Sequence, residues 1–420
     1  MSTQTDRRQF MTAAIAGPAL WSLPGRRQSP NEQIQLGVVG IGIRGRSLLS
    51  RSFLPIGDFR VVAVCDVDTQ RRDDAKRRVD EHYQSKDCAS YVEYQELFAH
   101  SGLDAVVLAT PDHWHANQIL LACQARLDVY CEKPLTLSLR EAQLSIEAAR
   151  KSQCVFQTGS QQRTEFSQLF VDACERVRNG RIGRVLTVHV GVGDPPRACD
   201  LPAEPPEPGL DWNRWLGPAP IREYNSILSP RGVHGHYPKW RNYWEYAGGG
   251  LADMGAHHFD IAQWALKQDQ SGPVRIEPPS DPAALRGATV IYSDGTRLVH
   301  GGPSGVTFIG TEGTLHVDRG RTSSVPDSIL SDELTEEDER LPRSDNHAHN
   351  WLQAIRERRA PICDVEVGAR SVAICHLLNL AYRHRRPLDW DPAAWRFVDD
   401  AEANGWLDYQ RREGFELPKV

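Results

Sequence analysis

The apolar residues fall into short blocks, and the rhythm of those blocks changes midway along the chain. Continuous apolar runs at Ile34–Val39, Phe59–Cys65, 103–109, Asp128–Cys131 and 154–158 read as buried strands. Between them, helical spacing predicts helices through Leu48, Leu49 and Phe53, then over Thr69–Tyr83, 94–99, 119–125 and 139–151. Strands alternating with helices specify a mostly parallel α/β sheet with right-handed crossovers. Beyond residue 280 the blocks shorten and alternate: 288–292, 296–299, 306–309 and 314–317 read as strands, with Ser293-Asp294-Gly295 as a hairpin turn. A helix is expected over 251–266. Two more, over 350–358 and Val365–His384, are expected to close the second domain. The proline-rich segment 193–208 reads as irregular, and the acidic segment 327–340 as exposed.

Composition narrows the class of protein. Hydrophobic residues make up 40% of 420 and charged residues 25%, which excludes a disordered or fibrous chain. Net charge is −6, so no basic excess remains to neutralise phosphates, and nucleic acid is excluded as an expected partner. No apolar run reaches the roughly 18–20 residues of a membrane span. Nine cysteines sit singly, without a Cys-x-x-Cys pair, and read as small core residues rather than a disulfide framework or zinc site. No metal is expected.

The N-terminus reads as an address. Arg7-Arg8-Gln9-Phe10 precedes a weakly apolar stretch to Leu23, a pattern that resembles a twin-arginine export signal and implies a periplasmic protein. Residues 1–33 are therefore assigned to signal and linker.

The first strand runs into Gly40-Ile41-Gly42-Ile43-Arg44-Gly45, followed by a helix and a second strand ending in Asp66, about 20 residues after Gly45. Gly40 permits the tight turn, Gly42 the approach of a pyrophosphate, and Gly45 close packing of helix on strand. Helix N–H groups, including those near Ile43 and Arg44, face the phosphates. Asp66 suits two ribose hydroxyls and repels a ribose phosphate, which favours NAD over NADP. Ligands in such sheets sit beyond C-terminal strand ends. Thr110, Pro111, His113 and His115 occupy one such end, and Glu132 and Lys133 another. Within the helix expected over 251–266, Asp253 and His257 are four apart and share a face. Gln162 and Arg163 follow the last strand of the first domain, and His236, Trp240 and Arg241 precede a glycine run. Their mixture of amide, cation and ring suits a polyhydroxylated ligand.

The glycine loop, Thr110-Pro111…His115, Glu132-Lys133-Pro134, Gly248-Gly249-Gly250-Leu251-Ala252-Asp253-Met254-Gly255-Ala256-His257 and Gly310-Thr311-Glu312-Gly313, taken in this order, resemble the glucose–fructose oxidoreductase/inositol dehydrogenase (Gfo/Idh/MocA) family, and Asn346-His347…Asn350-Trp351 and Glu366-Val367-Gly368-Ala369-Arg370 resemble its exported branch. The resemblance implies an NAD(P)-binding Rossmann domain over 34–158. It also implies a substrate-binding and oligomerising α+β domain over 159–420, with an open, mainly antiparallel sheet. A homodimer or homotetramer is implied as well. It places Lys133 against the reacting hydroxyl and the nicotinamide ribose, and Asp253 and His257 at the substrate. On that footing Lys133, His257 and Asp253 are the expected catalytic residues, with His257 as general base. The expected activity is hydride transfer between a secondary alcohol of a sugar, cyclitol or sugar derivative and a tightly held NAD. The alternative is a glycosidase that retains its NAD and works by transient oxidation, elimination, water addition and re-reduction.

Overall fold

The computed structural model describes residues 33–420. Up to residue 32, the expected export signal and linker lie outside the described residues.

Six parallel strands make the first sheet: β1 (Ile34–Val39), β2 (Phe59–Cys65), β3 (Ala89–Tyr91), β4 (Ala105–Leu108), β5 (Asp128–Cys131) and β6 (Phe156–Thr158), in the order β3-β2-β1-β4-β5-β6. Every residue of β4 and β5 is buried, as expected for strands covered on both faces. The connecting helices are α1 (Ile43–Ser47, widening into a π-turn over Leu48–Phe53), α2 (Thr69–Tyr83), α3 (Tyr94–Phe98), α4 (Asp112–Gln124) and α5 (Leu139–Ser152). Their starts are written locally. The Asp68 side chain accepts from the Gln70 and Arg71 N–H groups at the head of α2, and Ser138 with Glu141 forms a capping box on α5. Strand order reverses between β1 and β4, which opens a crevice at their C-terminal ends.

The second sheet is antiparallel. Its members are β7 (Val185–Gly191), β8 (Arg275–Glu277), β9 (Thr289–Ile291), β10 (Arg297–Gly310), β11 (Thr314–Asp318), β12 (Arg321–Val325), β13 (Leu388–Asp391) and β14 (Arg396–Phe397). The order is β12-β11-β10-β9-β8-β13-β14, with β7 paired to β10. Helix α6 (Leu169–Arg178) lies against this sheet, and a short α7 (Trp212–Leu216) stands apart from it. Helices α8 (Gly249–Ala265), α9 (Ser328–Ser331), α10 (His347–Glu357) and α11 (Val365–His384) follow in sequence. The fold is thus an N-terminal parallel Rossmann sheet joined to an antiparallel α/β part. The strands expected at 296–299 and 306–309 are one strand, β10. Gly301, Gly302 and Gly305, all at positive φ, bend it without ending it.

Helix α10 departs from expectation. Instead of closing the second sheet it covers the first: Trp351, Leu352 and Ile355 join a core with Leu36, Val38, Phe59 and Tyr130. The Trp351 ring meets Phe53 and Tyr130 edge-on, and its indole N–H donates to Val155 O at 3.2 Å.

Residues 192–247 leave β7 as a long arm laid across the first sheet. Thr69 N–H donates to Gly209 O and Asp211 N–H to Val67 O, while Arg46 and Arg71 of the first half donate to His234 O and Pro230 O. The arm has its own core of Trp215, Leu216, Tyr243 and Tyr246. It rejoins α8 at Gly248-Gly249-Gly250, where Gly249 has φ +77° and an added Cβ would stand 2.4 Å from Pro196 N. The cysteines are free, and most are buried.

Candidate active site

The crevice between β1 and β4 deepens into a cleft lined by Gly40, Gly42, Ile43, Arg44, Asp66, Thr110 and Pro111 from below. Trp215, Trp240 and Arg241 of the arm line it from above. The geometry of its floor suits a dinucleotide. Gly40 has φ +82°, a Cβ on Gly45 would stand 1.8 Å from Gly40 O, and one on Gly42 would meet nothing within 4 Å. The loop is therefore pressed against its strand on one side and open on the other. Asp66 turns its carboxylate to the cleft and accepts one backbone N–H on each oxygen, from Ile41 at 2.6 Å and Asp68 at 2.8 Å. Each oxygen keeps a lone pair for a ligand hydroxyl. The Arg44 guanidinium is tied to Glu132 at 2.9 Å, and Gln161 donates to the same Glu132 oxygen at 2.9 Å, so Glu132 fixes the loop rather than a ligand.

Lys133, at the end of β5, donates to the carboxylate and the carbonyl of Asp253 on α8, both at 2.8 Å. Arg241, which also lines the cleft, approaches the same carboxylate at 3.4 Å. Burial alone would raise the Asp253 carboxyl, but the Lys133 and Arg241 cations hold it below the ordinary aspartate value. One turn on, His257 is 4% exposed, and its Nδ1 has no hydrogen-bond partner. Burial, reinforced by the Lys133 and Arg319 charges, holds the imidazole well below its usual value and hence neutral at physiological pH. Asp253 therefore orients the Lys133 ammonium, with no hydrogen bond to the imidazole. His257 presents an uncommitted nitrogen, a strained state for a buried polar atom unless something else supplies its partner.

Five expected contacts are corrected. Arg163 is 1% exposed, and its guanidinium is divided between Asp260 (2.7 and 2.9 Å) and Asp269 (2.7 and 3.0 Å) over the Trp264 ring. It locks α8 to the β6 turn and has no surface for a substrate. Gln162 is fully buried, its amide shared between His258 and Arg319 at 3.3 Å each. His113 is enclosed by Trp215 and Tyr246 and bonds Trp215 O at 3.1 Å. His115 braces Thr110 O and Pro134 O, each at 2.9 Å, so it ties two strand ends together rather than touching a cofactor. His236 is exposed, its ring tilted against that of His234 at 4.3 Å; His234 lines the cleft and His236 does not.

Sequence reasoning passed over Asp112, although it follows Pro111 at a strand end, where a carboxylate amid buried neighbours was a signal. It is 3% exposed at the head of α4. Burial, aided by Asp253 and opposed by Arg241 and Lys133, pushes its carboxyl up to about 8. A carboxyl raised in the folded state favours folding while it stays protonated. That contribution is whole below the ordinary aspartate value of 3.8 and is lost as pH climbs to about 8. Asp112→Asn, neutral at every pH, is expected to flatten the fall in Tm between mildly acidic pH and pH 8. Equal slopes for variant and wild type in thermal melts would show that Asp112 is ionised throughout.

Among the described residues no three His, Cys, Asp or Glu side chains group to hold a metal ion. Known proteins resemble this chain in sequence and in fold. The chain is 25% identical to myo-inositol 2-dehydrogenase of Thermotoga maritima over 316 residues, 71% of this chain and 79% of the relative. Its fold matches aldose-aldose oxidoreductase of Caulobacter crescentus, solved with glycerol, at TM-score 0.59 and 16% identity, over 86% of this chain and 100% of that one. It also matches the WlbA dehydrogenase of Bordetella pertussis, solved with NADH and UDP-GlcNAcA, at TM-score 0.57 and 19% identity, over 86% and 99%. The family model for the NAD-binding Rossmann fold of this oxidoreductase family matches residues 34–160, and that for its C-terminal alpha/beta domain matches residues 198–417. On both halves, then, the chain belongs to the Gfo/Idh/MocA oxidoreductase family.

Proposed function

We propose that the protein transfers hydride between a secondary alcohol of a sugar, cyclitol or sugar derivative and NAD held in the cleft. The observation that carries this reading is the Lys133–Asp253 pair set near the neutral, buried His257 and joined to the dinucleotide cleft through Arg241, which lines the cleft and approaches Asp253 at 3.4 Å. Gly40, Gly42, Arg44, Asp66, Thr110 and Pro111 would hold the dinucleotide, which supplies the hydride acceptor. His257, held neutral by burial, accepts the hydroxyl proton. Lys133, fixed by Asp253, donates a hydrogen bond to the same oxygen and stabilises negative charge developing on it. Trp240 and Arg241 cover the cleft and exclude water.

The choice of NAD over NADP rests on which cations are free near Asp66. Arg71 spends its guanidinium on Pro230 O, Ser229 Oγ and Gly232 O, and Arg72 donates to Asp66 O. A ribose phosphate would meet the Asp66 carboxylate with no uncommitted arginine to offset it. The test is to titrate the purified protein with each dinucleotide and then with a panel of polyols and ketoses. NAD is expected to bind more tightly, and one polyol to raise the near-ultraviolet band of reduced nicotinamide. A panel that leaves the spectrum unchanged in both directions would sink the reading.

The arm favours a second reading. Because residues 192–247 roof the cleft, a dinucleotide would be retained between turnovers, which suits the redox-neutral glycosidase cycle. Release of an aglycone from a glycoside without net reduced nicotinamide would select it. We also propose export by the twin-arginine route to the periplasm, on Arg7-Arg8 and the apolar stretch after them. Periplasmic activity that persists in an Arg7→Lys/Arg8→Lys double variant would refute it. A homodimer or homotetramer is proposed from the family resemblance, and light scattering that returns the monomer mass would refute that.

A further inference from the structure

The hairpin joining β11 to β12 carries Arg319 at its turn, where it meets Gln162, whose amide also meets His258, the neighbour of His257 in α8. Its Nε donates to Gln162 Oε1 at 3.3 Å, and its guanidinium lies 4.9 Å from the centre of the Phe166 ring. Both partners stand on the turn that follows β6. Arg319 is close enough to influence both His257 and Asp253.

The cations around this crevice are not equivalent. Arg44 is matched by Glu132, Lys133 and Arg241 share Asp253, and Arg163 is enclosed by Asp260 and Asp269. Arg319 alone among these five forms no ion pair within 4.0 Å among the described residues. Its neighbour Asp318 acts on the guanidinium only through space, without an ion pair within 4.0 Å, and accepts from Ser304 Oγ at 3.0 Å and from the Arg319 backbone N–H at 2.7 Å. Glu165 is exposed and near enough for its charge to act on Arg319, but forms no ion pair with it within 4.0 Å. Among the described residues no hydrogen bond engages either terminal nitrogen, so the guanidinium, held through Nε by the Gln162 amide and lying over the Phe166 ring, leaves its two Nη groups as an open fork. A planar fork of that kind matches an oxyanion bidentately.

We propose that Arg319 recognises an oxyanion on the substrate, a carboxylate or a phosphate, and that the protein therefore acts on acidic sugars in preference to neutral ones. The inference rests on the reading of the site as a sugar oxidoreductase and names the class of its substrate. The fork is already oriented by Gln162 and Phe166, so the ordering cost is met before the ligand arrives.

The test uses the whole protein loaded with NAD. D-glucuronate, D-glucose 6-phosphate and D-glucose are titrated by calorimetry at low and at raised salt, against wild type, Arg319→Gln and Arg319→Lys. Thermal melts confirm that each variant is folded. At least one acid is expected to bind about 10- to 100-fold more tightly than D-glucose, in a salt-sensitive way. Arg319→Gln should abolish that preference, and Arg319→Lys should keep only part of it, because the fork is lost while the charge remains. Which of the two acids gains decides between carboxylate and phosphate. Binding of neither acid, equal binding of acid and D-glucose, or a preference that survives Arg319→Gln would overturn the proposal. Because binding is read without turnover, the two readings fail separately. Arg319-dependent binding of an acid, with no probe oxidised, supports the oxyanion site and counts against the oxidoreductase reading. Oxidation of neutral polyols indifferent to Arg319→Gln does the reverse.

Discussion

Lys133→Met is expected to lower kcat by about 10³-fold on whichever polyol the protein oxidises, the range in which a positioned proton donor or acceptor acts. Methionine keeps the length and most of the volume of the lysine stem, so packing at the end of β5 is preserved. What disappears is the ammonium that Asp253 holds at 2.8 Å, and with it the charge facing the reacting oxygen. Asp253 retains Arg241 at 3.4 Å, so the carboxylate is not stranded and the fold should survive. The measurement pairs steady-state kinetics with a thermal melt and a dinucleotide titration. A folded, NAD-binding variant with kcat within a few-fold of wild type would remove Lys133 from the chemistry.

The second large effect is on stability. Arg163→Met is expected to cost about 3–5 kcal/mol, because it leaves Asp260, wholly buried, without its counter-charge. A chain of this kind should lose at least about 5 °C in Tm. Arg163→Lys does not rescue it, since one ammonium cannot serve both carboxylates in the forked geometry. Pairing Arg163→Met with Asp260→Leu should recover part of the loss, because removing both charges ends the desolvation penalty. A single variant that melts with wild type would mean that water or a rearranged side chain satisfies Asp260. Catalysis separates this role from a substrate contact: folded Arg163→Met at low temperature is expected to keep its KM.

These two arginine- and lysine-centred results mark where the sequence speaks clearly and where it does not. The glycine loop, Asp66 and the strand-end position of Lys133 were legible because each is fixed by neighbours within a single βαβ unit. The shared face of Asp253 and His257 follows from helical spacing alone. Gln162 and Arg163 were misread for a physical reason: a polar residue after a buried strand looks the same whether it meets solvent or a carboxylate brought by a helix about a hundred residues later. The partner, Asp260, lies on α8, and nothing local announces it. Arg319 was missed on the same ground, since a hairpin turn in the second sheet reads as surface until the sheets are placed together. Asp112 hid in plain view, between a proline and two histidines that drew attention as ligands. The destination of α10 was also invisible, because an amphipathic helix does not declare which of two sheets it will cover.

That last placement bears on how the polypeptide is made. Trp351 fills the space between Phe53, Phe59 and Tyr130, so the nucleotide-binding half has an aromatic wound in its flank until residues near the end of α10 have left the ribosome. A fragment truncated after β6 would expose those three rings to water and should associate or be degraded rather than bind nucleotide. Biosynthesis of this chain is consequently not a matter of finishing one module and then the next: the first sheet waits, half-dressed, for nearly the whole message to be translated.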